Sequence, residues 1–426
     1  GGRSVFALDA TWPLSMRDRS ILWEADSNAS GMANLGYVMS EVETGQTASG
    51  DWVAIFGNGP YGDSGQASLF VLDLNTGAKL AEIATTAATS NGLGGVRTVR
   101  DVQGRIVGAY AGDLRGNVWR FNLSATNRSA WPSTGDKLFT ALSGSTPQPI
   151  TAKPAAFPVP TPSGYMVVVG TGKLYDAADP STTAQQTAYG LWDKSNFDST
   201  SSFTVISSSK LVTITSSPQL SSFMTAEGTR TFYSITSTRA IDLANGDSGW
   251  YMPYSLATGQ RTIYPVEPLQ GRLVRVDTVV PNSGGAVCSS TESRAYNYVI
   301  DPLTGACSAD AAFDTNGDGA IDSSDVAACT YSASADGRDV VLDMPAVISQ
   351  PRAAAVRAAV ATRPRAGCAF ISRTRAQVAS SSCATLLYSS TRVCCTTSAG
   401  TPALVGWPKV ARPEPALTSS ASAWPW

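Results

Sequence analysis

The chain has 426 residues, 43% of them hydrophobic, with a formal charge of −2 and no histidine. That length and composition suit a globular protein with a real core, and the missing histidine excludes His-assisted nucleophiles, His general bases and His-ligated zinc or iron. Charge is uneven: residues 351–426 hold nine Lys/Arg and one acid, Glu414, while the other 350 hold 22 basic and 32 acidic residues, an acidic body that argues against nucleic-acid binding.

The opening GGRSVFALDA reads as a turn followed by a strand, as expected of a fragment whose secretion signal lies upstream. No apolar run approaches the ~20 residues that span a bilayer. As far as about residue 305 the chain is a series of short alternating runs punctuated by Gly, Asn-Gly and Pro, with little helical periodicity. Several runs share one internal order of apolar stretch, Asp or Asn, then turn. They are VFALDA (Val5–Ala10), SLFVLDLNTG (Ser68–Gly77), VWRFNL (Val118–Leu123), YGLWD (Tyr189–Asp193) and YNYVIDPLTG (Tyr296–Gly305). Such loose repetition predicts an all-β fold, a β-propeller of about six or seven four-stranded blades, with a pair of β-sandwiches as the alternative. Asp73, Asp113, Asp193 and Asp301 follow strands and read as Asx turn caps, not catalytic carboxylates. Trp12, Trp23, Trp52, Trp119, Trp192 and Trp250 sit in strand motifs and read as blade packing in preference to a sugar-stacking surface.

A different module follows. DTNGDGAIDSSD, Asp314 to Asp325, matches a twelve-residue EF-hand loop of the dockerin-like kind. Ca²⁺ takes six to eight hard oxygens, and the loop offers them from Asp314, Asn316, Asp318, the Ala320 carbonyl, Asp322 and Asp325. Gly319 stands where the sharp turn needs a positive φ, and Ile321 is expected to anchor the loop in an apolar contact. Four carboxylates in so short a segment repel one another unless a cation neutralises them. Asp at the last position replaces the commoner Glu, and good flanking helices are lacking, so a fixed structural or regulatory site is expected, not an opening switch.

All seven cysteines lie at or after Cys288, and an odd count leaves at least one without a partner in this chain. A Cys288–Cys307 bridge fits an oxidising compartment, while Cys307 and Cys329 bracket the acidic loop. Beyond Pro351 the text turns Ala/Arg-rich and an irregular C-terminal tail is expected. The pair Cys394-Cys395 invites comparison with quinone-dependent propeller dehydrogenases, but it lies in that tail.

DWVAIFGNGP (Asp51–Pro60) followed by SLFVLDLNTG resembles a blade opening of the PilY family of type IV pilus tip-associated biogenesis factors, and YAGDLRGNVWRFNL (Tyr110–Leu123) resembles that family's most recognisable signature. MVVVGTGKLY (Met166–Tyr175), QQTAYGLWD (Gln185–Asp193) and GDSGWYM (Gly246–Met252) follow in the family's order. The resemblance implies a C-terminal propeller over 1–350 that carries the calcium module at 307–330, and the atypical basic tail at 351–426 departs from the family. It also implies a non-enzymatic, secreted protein at the pilus tip, cell surface or outer membrane. Such a protein would engage pilin or minor pilins and host or abiotic surfaces, and support pilus extension, attachment and twitching motility. The alternatives are a pyrroloquinoline-quinone dehydrogenase and a lectin-like adhesin. Two family features are not carried over. Asp101 and Gly104 lack the further carboxylates of a propeller calcium loop, and Arg115-Gly116-Asn117 stands where some relatives have Arg-Gly-Asp.

Overall fold

Runs of β-branched and aromatic residues cut by Gly- and Asp-containing turns can satisfy their backbone groups only by pairing with neighbouring strands. The result is a fold of 22 strands among the described residues, with helical structure there limited to short 3₁₀ turns. The computed structural model describes residues 2–11, 20–86, 90–198, 203–225, 228–269, 272–281, 294–307, 311–325 and 330–334. The 351–426 tail, Cys288, Cys329, Cys394, Cys395 and Trp12 lie outside the described residues.

The first ribbon pairs β1 (Ser4–Leu8) with β2 (Ile21–Asp26). Next come two four-stranded meanders. One runs through β3 (Glu43–Gln46), β4 (Trp52–Gly57), β5 (Ser68–Asp73) and β6 (Lys79–Ala84). The other runs through β7 (Leu93–Arg100), β8 (Ile106–Asp113), β9 (Asn117–Asn122) and β10 (Asp136–Thr140). A small hairpin, β11 (Leu142–Ser143) with β12 (Thr146–Pro147), leads into a ten-stranded sheet.

The large sheet begins with β13 (Ala155–Pro158), β14 (Tyr165–Gly170) and β15 (Thr187–Asp193), then β16 (Val212–Thr225), β17 (Gly228–Ser237) and β18 (Gly249–Pro253). It ends with β19 (Glu267–Pro268), β20 (Val274–Val280), β21 (Arg294–Ile300) and β22 (Thr330–Ser334). Its spatial order is β13-β14-β15-β18-β16-β17-β22-β21-β20-β19. Two four-strand antiparallel groups, β13-β14-β15-β18 and β19-β20-β21-β22, are thus joined edge to edge by the long β16–β17 hairpin. β16 meets β18 in parallel, Val212 opposite Trp250, whereas the other named pairs of this sheet are antiparallel.

Packing explains the strand text. One core cluster sets Val5 and Ala25 of the first ribbon against Ala54, Phe56, Phe70 and Leu72 of β4 and β5. The opposite face of those strands, through Ile55, Leu69 and Val71, packs on Ala109, Ala111 and Trp119 of the next meander. That meander in turn presents Tyr110, Val118 and Phe139 to Val167, Tyr189 and Leu191. Each interior sheet is therefore covered on both faces, so its central strands read as continuous apolar runs instead of alternating ones. SLFVLD and TAYGLWD are buried almost throughout for this reason. Burying such strands at about 25 cal/mol per Å² of apolar surface makes the stacking of sheets the main source of stability.

The strand–Asp–turn unit has one physical cause. Asp73, Asp113, Asp193 and Asp301 each accept a hydrogen bond from the backbone N–H two residues on, at Asn75, Arg115, Ser195 and Leu303. Each carboxylate closes the turn that sends the chain into its next segment. Among the tryptophans, Trp119, Trp192 and Trp250 are buried, and half-buried Trp23 donates to the Leu74 carbonyl at 2.9 Å. Trp52, 58% exposed, departs from the packing expectation because it opens β4 at the sheet's rim.

Candidate calcium loop and turn carboxylates

The acidic loop is an insertion in the β21–β22 connection. β21 ends at Ile300, Asp301 caps the turn after it, and the ladder resumes with Tyr298 opposite Thr330. Cys307 is disulfide-bonded, and its partner falls outside the described residues. Just before the loop, Ala312 and Phe313 are fully buried with Phe232, Leu273 and Val299, and the rings of Phe313 and Phe232 stand 5.9 Å apart. Phe313 is the anchor of the module. Ile321, expected to serve that purpose, is only half-buried. The apolar CSADAAF stretch before the loop held the signal, but its value depends on Phe232 of β17 and Leu273 ahead of β20 packing with it, which local text does not show.

From Asp314 onward the loop folds round its own carboxylates. Asp314 accepts from the N–H groups of Gly317 at 2.6 Å and Gly319 at 2.9 Å. Asp318 accepts from Ala320 N–H at 2.8 Å, and Asn316 donates to Asp318 at 3.1 Å and to the Ser324 hydroxyl at 2.9 Å. Asp325 closes the circuit, taking the N–H groups of Thr315 at 2.7 Å and Asp322 at 2.9 Å. Gly319 has φ +88°, where a side chain is strained. The first and last ligand positions are thus tied to the loop's own backbone before any ion arrives.

Electrostatics follow the same bonds. The Ser324 hydroxyl and N–H hold the Asp322 carboxyl below its usual range. Burial pushes the Asp325 carboxyl up, but the N–H groups of Asp322 and Thr315 outweigh it and the net direction is down. Asp322 and Asp325 are thereby held as anions at neutral pH, and the loop's donor set is all oxygen, which suits a hard divalent cation. Among the described residues no three acidic or Cys side chains already converge as a metal cluster. Asn316, Asp318, Asp322 and Asp325 are linked in one hydrogen-bonded network through Ser324, while Asp314 caps the turn at Gly317 and Gly319, and an ion would have to draw the carboxylates inward.

Other carboxylates are fully committed. Asp113 is completely buried and accepts from Asn91 Nδ2 at 2.9 Å, Arg115 N–H at 2.9 Å, Asn117 N–H at 2.9 Å and Trp119 Nε1 at 2.8 Å. GDLRGNVW therefore encodes a carboxylate and most of its donors in a single turn, Asn91 being supplied from the preceding loop. Asp101 pairs with Arg105 at 2.8 Å and accepts from the N–H groups of Gln103 and Arg105, so an arginine neutralises this hairpin.

Antiparallel four-strand units buried on both faces and closed by Asp-capped turns place the protein in the β-propeller class. The family profile described as the PilY1 beta-propeller domain matches residues 1–224, just over half of the chain. The chain belongs to the PilY1 β-propeller family. It is 31% identical over 371 residues to the type IV pilus biogenesis factor PilY1 of Pseudomonas aeruginosa strain UCBPP-PA14, covering 76% of this chain and 31% of that protein. A PilY1 homolog of Xylella fastidiosa strain Temecula1 is 28% identical over 331 residues, covering 72% of this chain and 21% of the homolog. The chain thus spans about a third or less of the length of the curated relatives it matches. The crystal structure of the P. aeruginosa PilY1 C-terminal domain superposes with a TM-score of 0.67 at 28% identity, covering 78% of this chain and 73% of that one. The acidic loop lies beyond the segment matched by the family profile.

Proposed function

We propose that this protein is a calcium-binding, non-enzymatic propeller of the type IV pilus system, exposed at the cell surface or pilus tip, where it engages pilin or minor pilins and supports pilus extension, surface attachment and twitching motility. The observation that carries the pilus reading is its combined sequence and fold similarity to the PilY1 C-terminal domain. The calcium reading rests on the twelve-residue spacing of oxygen donors between Asp314 and Asp325. Asp314, Asn316, Asp318, the Ala320 carbonyl, Asp322 and Asp325 would hold the ion. Its charge would relieve the repulsion among four carboxylates and stiffen the β21–β22 connection.

Two measurements test this. Calorimetric titration with Ca²⁺ gives a saturable heat for the wild type, and Asp318→Ala weakens binding at least about tenfold, because a charged ligand is lost from the set. Deleting the gene removes surface pili and twitching, the wild type restores both, and Asp318→Ala restores them poorly. Normal piliation in the deletion strain overturns the pilus assignment, and a flat titration at millimolar Ca²⁺ overturns the calcium assignment.

A further inference from the structure

Three tyrosines from three separate connections meet at one surface. Tyr37 comes from the segment between β2 and β3, Tyr61 from the β4–β5 loop and Tyr175 from the β14–β15 loop. The Tyr37 and Tyr61 rings stand 5.9 Å apart at 88°, and the Tyr61 and Tyr175 rings 6.1 Å apart at 86°. Tyr37 is 41% exposed and Tyr61 58% exposed, although both are large enough for burial to be favourable. Tyr61 also holds φ +65°, a left-handed conformation that costs a non-glycine residue roughly 1–2 kcal/mol and that persists where the surroundings enforce it for a use.

The surroundings do enforce it. Tyr37 N–H donates to the Pro60 carbonyl at 2.8 Å and Gly36 N–H to the Asn58 carbonyl at 2.9 Å. Those backbones approach so closely that a Cβ on Gly59 would strike the Tyr37 carbonyl. On the other side the Arg261 guanidinium, itself buried, donates to the carbonyls of Lys173, Asp179 and Thr182. Buried Asp179 accepts from the N–H groups of Tyr175 and Asp176 at 2.9 Å each. The aromatic side chains are therefore mounted on pinned loops, as a preorganised site requires.

Lys173 and the buried Arg261 guanidinium together offset Asp176 and Asp179, so the charges beside the rings cancel with Arg261 counted. Lys173 lies 2.9 Å from Asp179, also pairs with Asp176, and rests 5.0 Å from the centre of the Tyr175 ring. The Tyr61 hydroxyl donates to Asp176. A charged ligand would have to break these pairs, so charge complementarity favours an uncharged partner. Perpendicular rings offer one face at a time with hydroxyl and carboxylate groups at its edge. A polyproline peptide, by contrast, is gripped between aromatic ridges that form a groove. A flat apolar C–H face surrounded by neutral hydroxyls matches that layout, and pyranose rings have this form.

We propose that Tyr37, Tyr61 and Tyr175, with Lys173 and Asp176 at their edge, form a binding surface for neutral glycans, one saccharide ring stacking on a tyrosine face while its hydroxyls bond to the Lys173–Asp176 pair. Burial pushes the Tyr175 hydroxyl up to about 12, so this donor keeps its proton across physiological pH. The site goes beyond the pilus reading and does not depend on it.

The test applies the full chain to an array of neutral, sialylated and sulfated glycans, followed by saturation-transfer NMR with methyl β-galactoside and methyl β-glucoside. Expected are retention of neutral glycans and a loss of affinity of about tenfold or more in Tyr61→Ala and in Tyr175→Ala. Trp52→Ala, an exposed aromatic at the opposite end of β4, is expected to bind as the wild type. Tyr61→Gly, which suits φ +65°, gives a second variant that loses the ring without backbone strain. Retention of no neutral glycan, retention unaffected by the tyrosine variants, or tyrosine-dependent binding of a proline-rich peptide in place of glycans would each overturn the proposal. Piliation of the deletion strain reports separately on the pilus assignment.

Discussion

Asp113 shows how much a single side chain can organise. Its carboxylate is removed from water, yet among the described residues its named donors are all neutral. They are N–H groups from two backbone amides, two asparagine side chains and an indole. Replacing it leaves those donors facing an apolar interior. Asp113→Ala is expected to cost about 2–4 kcal/mol, measured as a lower urea midpoint with an unchanged m-value. A second carboxylate supports a prediction about pH. Asp247 is gripped by both terminal nitrogens of Arg239 at 2.5 and 2.6 Å. Those bonds, reinforced by Asp242 N–H and only partly opposed by burial, lower its pKa to about 2. A depressed folded value stabilises above the unfolded pKa of about 4 and loses that contribution as pH falls towards 2. The wild type should therefore exceed Asp247→Asn in stability at pH 5 and above, and the gap should close between pH 4 and pH 2 in acid melts. Because Arg239 is largely exposed, salt should narrow the gap as well.

At the scale of elements, the acidic loop and its foundation were unequally visible in the sequence. The expected ligand positions follow from Asp, Asn and Gly recurring at the spacing that calcium coordination would demand. The anchor could not be read, because Phe313 gains its role from Phe232 of β17 and Leu273 ahead of β20, which approach from distant sequence. Phe313→Ala should cost about 3–5 kcal/mol, measured by thermal unfolding. It should also weaken calcium binding, since the loop would lose the floor that holds its first ligand position. The tyrosine surface was illegible for a related reason. Tyr37, Tyr61 and Tyr175 stand in three unremarkable glycine-containing loops, and only the stacking of sheets brings them together. Strand text behaved differently. Asp-capped turns and buried runs are local consequences of backbone pairing, so SLFVLD and TAYGLWD declared themselves. The β16–β17 hairpin did not, since its length and its parallel meeting with β18 depend on which edges remain free.

Across the molecule, neighbouring sheets are fastened by more than apolar contact. Arg120 of β9 lies 3.0 Å from Asp193 at the end of β15, both buried, while Tyr110 of β8 donates to the same carboxylate at 2.7 Å. The guanidinium also stacks 4.2 Å from the centre of Phe197 and donates to the Asn196 carbonyl at 2.9 Å. Asp193→Ala leaves the buried guanidinium with only its 3.3 Å pairing to half-exposed Asp136 and should destabilise by about 2–4 kcal/mol in urea unfolding, more than a conservative loss such as Tyr110→Phe.

The position of the acidic insertion has a further consequence. It leaves and re-enters the sheet at adjacent rungs, Ile300 on one strand and Thr330 on the next. Its two ends are therefore already neighbours, so the segment behaves as a plug-in cartridge. It can be shortened, exchanged or removed without rerouting the chain around it, leaving the scaffold intact.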